Sequence, residues 1–173
     1  MSVREYSVPL LVQPVPGRNL TDLVWSAAEE APDAVLFSRR ADAGWADVTS
    51  SRFLTEVAAL AKGMIAAGVS PGDRVGLMAR TCYEWTLTDF AIWAAGAVTV
   101  PIYETSSAEQ VSWILGDSGA VACFTQSERH TATVASVRGA LPGLRDVWTF
   151  DFGAVDELSA AGAEVPDDAP AAR

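Results

Sequence analysis

Short apolar runs alternate with longer amphipathic segments through residues 51–150, and this alternation constrains the fold more than any other feature of the sequence. The apolar runs have the length of buried strands, and the segments between them place apolar residues three and four positions apart, as helices do. Strands and helices in this order favour right-handed crossovers and a mostly parallel sheet. The sequence therefore predicts an α/β fold, a layered αβ sandwich. The predicted elements are a helix of about 17 residues from Ser51, strand 74–79, helix 83–95, strand 98–102, helix 108–115, strand 120–125, helix 128–141 and strand 146–150.

The pattern differs at both ends of the chain. Residues 1–18 are proline-rich and aperiodic, which predicts an extended arm, and residues 19–150 form the predicted α/β subdomain. That subdomain begins with a helix capped by Asn19, followed by a hairpin whose turn spans residues 41–44. Residues 151–173 hold six acidic residues and one basic residue, half of the net charge of −10, so we expect an acidic linker or solvated tail with a short helix near residues 155–161.

Composition excludes several classes of function. With 12 basic residues against 22 acidic ones, a nucleic-acid surface is not expected, because phosphate binding needs a basic stripe. One histidine and two cysteines without CxxC spacing argue against a metal site, and we expect both cysteines to be buried free thiols. No window of 18 apolar residues predicts a transmembrane segment. The expected location is therefore the cytoplasm.

Familiar catalytic and phosphate-binding motifs are missing or out of context. Residues 68–72 match G-x-S-x-G, but a predicted helix precedes them and a strand follows, the reverse of a nucleophile elbow, and Pro71 has no N–H for an oxyanion hole. Neither a P-loop nor a G-x-G-x-x-G fingerprint is present, and the one lysine, Lys62, falls inside a predicted helix. No residue is predicted to be catalytic.

Two loops follow predicted parallel strands and could meet a ligand. Tyr103, Glu104, Thr105 and Ser106 come after one strand, and Arg80 comes after the preceding strand. Ligands approach the carboxyl ends of such strands, where helix N-termini offer N–H groups to anions. Structural alternatives exist for each: the serines can cap the next helix through Ser106–Glu109 or Ser107–Gln110, and Arg80 can pair with Glu84 one helical turn later.

Several strings resemble one enzyme family. The G-V-S-P-G-D-R-V turn at residues 68–75 is similar to adenylate-forming enzymes in general. R-T-C-Y-E-W at residues 80–85 and P-I-Y-E-T-S-S-A-E-Q at residues 101–110 resemble the long-chain fatty acyl-CoA synthetases within that superfamily. The resemblance covers roughly residues 19–150 and identifies the chain as the N-terminal part of such an enzyme, the first subdomain of its N-terminal domain.

This resemblance implies a ligase that joins a long-chain fatty acid to CoA through an acyl-adenylate, using ATP and Mg²⁺. The family's phosphate loop and catalytic lysine have no counterpart in the sequence, so we expect the chain alone to be inactive and to bind no cofactor tightly. In related ligases the loop after the Pro101-like position approaches the CoA nucleotide. The resemblance therefore makes Tyr103, Glu104, Thr105 and Ser106 candidate CoA-binding residues, and Arg80 remains a cofactor-binding candidate from its own position, for a phosphate or a carboxylate.

Two other functions stay open on the sequence: an adenylate-forming ligase for a different acid, and a self-standing, non-catalytic α/β binding module. A homodimer and a peripheral association with a membrane are further expectations. Acyl-chain length is not encoded in any motif found.

Overall fold

The computed structural model describes residues 7–13, 15, 19–41 and 44–170. The rest of the predicted arm, Asp42 and Ala43 of the predicted turn, and the last three residues of the acidic segment lie outside this part. The helices are α1 (Asp22–Glu30), α2 (Ser50–Ala66), α3 (Tyr83–Ala94), α4 (Ala108–Ser118), α5 (Glu128–Val137) and α6 (Ala154–Ala161). The strands are β1 (Val35–Ala41), β2 (Gly44–Thr49), β3 (Arg74–Met78), β4 (Val98–Ile102), β5 (Ala122–Thr125) and β6 (Asp146–Thr149).

Four strands form a parallel sheet in the order β4-β3-β5-β6. The chain moves from β3 outward to β4 and then returns past β3 to β5. Because parallel crossovers keep one hand, this reversal puts α3 and α4 on opposite faces of the sheet. The predicted α/β class with its mostly parallel sheet is confirmed.

Two hydrophobic cores cover the two faces of this sheet. Val75 and Leu77 point into the core shared with α2, α3 and α6, whereas Met78 points into the core shared with α4 and α5. Apart from Arg74 at the start of β3, the residues of the two central strands are buried, as expected for a sheet covered on both sides. No residue of α3 is exposed, which agrees with apolar residues on most of its circumference.

The predicted hairpin is present and is attached to the α/β layers through aromatic side chains. β1 and β2 pair antiparallel, and the Phe37 ring lies 4.9 Å from that of Phe53 in α2 and 5.8 Å from that of Tyr83 in α3. Tyr83 also donates a hydrogen bond of 2.6 Å from its hydroxyl to Glu56 of α2. The hairpin is therefore held against the helices that cover one face of the sheet.

Several local predictions need correction. The predicted Asn19 cap of α1 is not among them: Asn19 Oδ1 accepts the Thr21 N–H at 2.8 Å and Asp22 Oδ2 accepts the Asn19 N–H at 2.8 Å, whereas the Thr21 side chain makes no cap hydrogen bond. The helix predicted to reach Leu141 ends at Val137, because the chain tightens into a short 3₁₀ turn. Cys123 is buried as expected, but Cys82 is only half-buried because it begins α3 at the surface.

The acidic segment after residue 150 differs from the expected solvated tail. Its helix α6 packs on α2 so closely that a Cβ at Gly63 would lie 2.1 Å from the Leu158 carbonyl oxygen. Leu158 and Ala154 are buried in this contact. Lys62 also reaches Asp167, with 2.8 Å between Nζ and Oδ1. Small residues at the crossing let the backbones approach, so the segment is held on the α/β layers despite its charge.

A candidate coenzyme-binding cleft

The loops predicted to meet a ligand face each other across one cleft. β3 and β4 are neighbours, and the loops that leave their carboxyl ends enclose a cleft of about 540 Å³. It is lined by Ala79, Arg80, Thr81, Trp85, Pro101, Ile102, Tyr103, Glu104 and Thr105. Four of the five predicted site residues therefore lie together, and Ser106 follows them directly in the chain.

In the loop after β4, Ser107 caps helix α4, so the residues before it are not used for capping. Ser107 Oγ accepts the Gln110 N–H at 3.3 Å, and Gln110 Oε1 accepts the Ser107 N–H at 2.9 Å. The Ser107–Gln110 capping box is thus the one present, not Ser106–Glu109. The Ser106 N–H closes a turn onto the Tyr103 carbonyl at 3.0 Å. The Tyr103 side chain is 86% exposed and presents its ring at the cleft.

Arg80 is held by its backbone and free at its guanidinium. Its N–H donates to Gln126 Oε1 at 3.1 Å. The predicted alternative, a pair with Glu84, is not formed; Glu84 instead faces Arg39, with 3.9 Å between Nη1 and Oε1. Within the described part of the chain no partner of the Arg80 side chain is found. An exposed, unpaired guanidinium at the mouth of a cleft can bind a phosphate or carboxylate.

Gln126 does not line the cleft but holds the Arg80 backbone beside it, a contact that sequence reasoning missed. It follows β5 directly, as Arg80 comes shortly after β3, and its side chain bridges the two loops. The loop after β3 leads to α3 on one face of the sheet and the loop after β5 leads to α5 on the other, which creates a crevice at the reversal of strand order. In the sequence, Gln126 comes just after a predicted strand, which could have indicated a residue near a ligand. The contact with Arg80 could be inferred only once the order of the strands was known.

Two ionisable side chains, Cys82 and Tyr83, stand at the start of α3 beside the cleft. Burial raises the pKa of the Cys82 thiol, and the hydrogen bond from the Trp85 N–H works in the opposite direction. Burial, together with the hydrogen bond to Glu56, raises the pKa of the Tyr83 hydroxyl well above its ordinary range. Neither group is therefore ionised near neutral pH, and neither is an activated nucleophile.

The lining of the cleft consists of groups that can bind a ligand, together with one carboxylate, that of Glu104. It combines a cation, an aromatic ring and a threonine hydroxyl, which suits a phosphorylated ligand with an aromatic base. Among the described residues no group of three or more His, Cys, Asp and Glu side chains could hold a metal ion.

Comparison with known proteins gives the family. A sequence model of the AMP-binding enzyme family matches residues 24–172. The chain belongs to the AMP-binding enzyme family.

Individual relatives agree with this membership. Over 166 residues the chain is 44% identical to the long-chain-fatty-acid–CoA ligase FadD15 of Mycobacterium bovis, a match covering 94% of the chain and 28% of that ligase. Over 94 residues it is 36% identical to a feruloyl-CoA synthase of an Amycolatopsis species, covering 54% of the chain and 19% of that enzyme. The chain thus spans less than a third of the length of these relatives.

The fold also recurs in solved structures. A long-chain-fatty-acid–CoA ligase, FadD1, from Archaeoglobus fulgidus superposes with a TM-score of 0.79 at 20% identity, covering 93% of the chain and 33% of the ligase. At this identity the match establishes the fold alone. The predicted resemblance to the N-terminal region of acyl-CoA synthetases is confirmed.

Within the described residues, no helix combines the length and apolar character that a membrane crossing requires.

Proposed function

We propose that the chain is the N-terminal part of a ligase that activates a long-chain fatty acid with ATP and transfers it to CoA. The observation that carries this proposal is the 44% identity to FadD15, which extends over 94% of the chain. The chain contributes no phosphate loop, no catalytic lysine and no cluster of metal ligands among its described residues. Its part in the reaction is therefore to bind and orient, and ATP–pyrophosphate exchange by the chain alone is expected to be absent.

Within that enzyme, the cleft between the β3 and β4 loops is proposed to receive the nucleotide end of CoA. Arg80 supplies a guanidinium for a phosphate, and the exposed Tyr103 ring supplies a stacking surface for adenine. Glu104 and Thr105 line the same space and Ser106 follows them in the chain; the Glu104 carboxylate can accept from ribose hydroxyls, and the two hydroxyl side chains can donate to a phosphate. The location at the carboxyl ends of parallel strands supports this assignment.

A chimera tests the activity. The matched segment of M. bovis FadD15 is replaced by this chain, and acyl-CoA formation is measured with long-chain and aromatic acids. We expect turnover of long-chain acids, with Arg80→Gln raising the KM for CoA roughly tenfold or more because a charged hydrogen bond is lost. A chimera that folds and binds ATP but makes no acyl-CoA would contradict the proposal.

A ligase for another acid is the alternative, and the identity to a feruloyl-CoA synthase supports it. The lower identity over a shorter stretch makes it second to the long-chain ligase. Turnover of aromatic acids by the chimera in preference to fatty acids would select it. The self-standing non-catalytic module loses its basis, since the chain belongs to an enzyme family.

The enzyme is further proposed to be cytoplasmic, peripheral to membranes that supply its fatty acid, and homodimeric. Exposed apolar side chains near the N-terminus, among them Leu11 at 97% and Val12 at 82%, support a further contact surface. Vesicle cosedimentation and light scattering after gel filtration measure these two properties separately.

A further inference from the structure

A second groove adjoins the candidate coenzyme cleft and shares Arg80 with it. It has a volume of about 700 Å³ and lies between β1 and the start of α3. We call it the arginine groove and define it by Arg39, Arg40, Trp45, Arg80 and Glu84, which line it. Three guanidinium groups against one carboxylate make it a cationic site on a chain of net charge −10.

Two of the three arginines of this groove differ from most others in the described part of the chain. Five of the eight arginines there are engaged by carboxylates or backbone carbonyls: Arg39, Arg52, Arg74, Arg138 and Arg145. The side chains of the other three have no hydrogen-bonding or ionic partner among the described residues: Arg40, Arg80 and Arg129. Two of these unpaired guanidinium groups, Arg40 and Arg80, line the same groove. An anion would give both of them a partner.

The exposed Trp45 ring lies beside the unpaired guanidinium of Arg40. Arg40 and Trp45 are paired directly across the hairpin, so their side chains emerge on the same face. The Trp45 side chain is 76% exposed, although an indole of this size is ordinarily covered. Glu84, the carboxylate of the groove, faces Arg39 at 3.9 Å and so leaves Arg40 and Arg80 uncompensated.

We propose that the arginine groove binds a nucleotide, with Arg40 and Arg80 on its phosphates and the Trp45 indole stacked on its base. Guanidinium groups match phosphate oxygens in pairs, and indole rings stack on any base. The groove volume lies within the range of small-molecule sites. The phosphate can belong to a free nucleotide or to the nucleotide end of CoA; in the second case the inference rests on the proposed function, because Arg80 lies in both sites.

Calorimetric titration of the chain with ADP, CoA and adenosine tests this site. ADP and CoA are expected to bind and adenosine to bind at least tenfold more weakly, because it has no phosphate. Arg40→Gln is expected to weaken ADP or CoA at least tenfold, and Trp45→Ala to weaken both by a smaller factor. Arg129→Gln is the matched control, since it also removes an unpaired arginine but lies on α5 outside the groove. Arg40 is exposed and unpaired, so its variant is not expected to disturb folding, and circular dichroism checks this.

The two ligands distinguish the two sources of phosphate. Equal weakening of ADP and CoA by Arg40→Gln indicates a site for free nucleotides, whereas weakening of CoA alone indicates that the groove holds a CoA phosphate. The inference is overturned if neither ligand binds, if adenosine binds as tightly as ADP, or if Arg40→Gln matches Arg129→Gln.

Tyr103→Ala separates this inference from the proposed CoA cleft, because Tyr103 lines only the cleft. CoA binding that Tyr103→Ala weakens and Arg40→Gln does not would overturn the arginine groove and leave the cleft standing. Binding that Arg40→Gln weakens and Tyr103→Ala does not would support the groove and remove the cleft.

Discussion

Replacing Gly63 with alanine would test the contact that holds the acidic C-terminal segment on the α/β layers. A Cβ at this position would lie 2.1 Å from the Leu158 carbonyl oxygen and 2.4 Å from its carbonyl carbon. Both atoms belong to the backbone, so no change of side-chain rotamer relieves the overlap. Helix α6 has to withdraw from α2 by roughly 1 Å to restore ordinary contact distances.

The expected loss of stability follows from what that withdrawal uncovers. Leu158 and Ala154 are 7% and 6% exposed in the native contact. Uncovering a buried leucine and its neighbour costs about 3 kcal/mol, and the higher helix propensity of alanine returns about 1 kcal/mol. Gly63→Ala is therefore expected to lower the free energy of unfolding by about 2 kcal/mol.

Urea unfolding followed by circular dichroism measures this difference, and Gly116 of α4 provides a matched control. A Cβ at Gly116 would meet only the Leu141 side chain, at an ordinary 3.6 Å. Gly116→Ala should therefore raise the free energy of unfolding by about 0.5–1 kcal/mol. In a Leu158→Ala background the cost of Gly63→Ala should shrink, because the leucine contact is already lost.

A Gly63→Ala variant as stable as Gly116→Ala would refute this reasoning. That result is the one expected of a solvated tail, in which α6 does not pack on α2. The same comparison thus decides between the charge pattern, which favours a free segment, and the small residues at the crossing, which permit close packing.

Two further predictions concern polar groups inside the fold. Burial raises the pKa of Asp89, and the nearby Thr99 hydroxyl only partly opposes it, so the stability contributed by this residue falls as the pH rises from the ordinary pKa of aspartate, about 3.9, through the raised native pKa. Asp89→Asn should therefore raise the melting temperature at pH 7 and lose this advantage at a pH well below about 3.9, where the carboxyl group is protonated in both states; an equal effect at both pH values would contradict it. Thr131 Oγ1 lies 2.6 Å from Thr125 Oγ1 and 2.7 Å from Thr149 Oγ1, joining α5 to β5 and β6. Thr131→Val should cost about 1–2 kcal/mol in urea unfolding, whereas a cost equal to that of Thr133→Val, at a half-buried threonine outside the cluster, would show that this cluster contributes nothing.

Most helices and strands could be predicted from the sequence, because each forms in response to residues only a few positions apart. The periodicity of α2, the apolar residues of β3 and β5 and the Ser107–Gln110 capping box all predicted structure that is present. Errors fell at element ends, as where a 3₁₀ turn after Val137 replaces the expected continuation of the helix.

The candidate site was predictable only in part. The residue types at the ends of β3 and β4 indicated ligand contact, and the adjacency of these strands brings Arg80 and Tyr103 to one cleft. The pairing of Arg80 with Gln126, by contrast, joins residues 46 positions apart. No local pattern encodes that distance, because it follows from the order of strands in the sheet.

The sequence by itself determined the class of fold and the family resemblance, since side-chain periodicity and short motifs are local properties. Only the tertiary structure decided the strand order β4-β3-β5-β6, the docking of α6 on α2 and the meeting of Arg40, Trp45 and Arg80 in one groove. These features depend on packing between segments far apart in the chain. There the sum of many small contacts outweighs local charge and propensity.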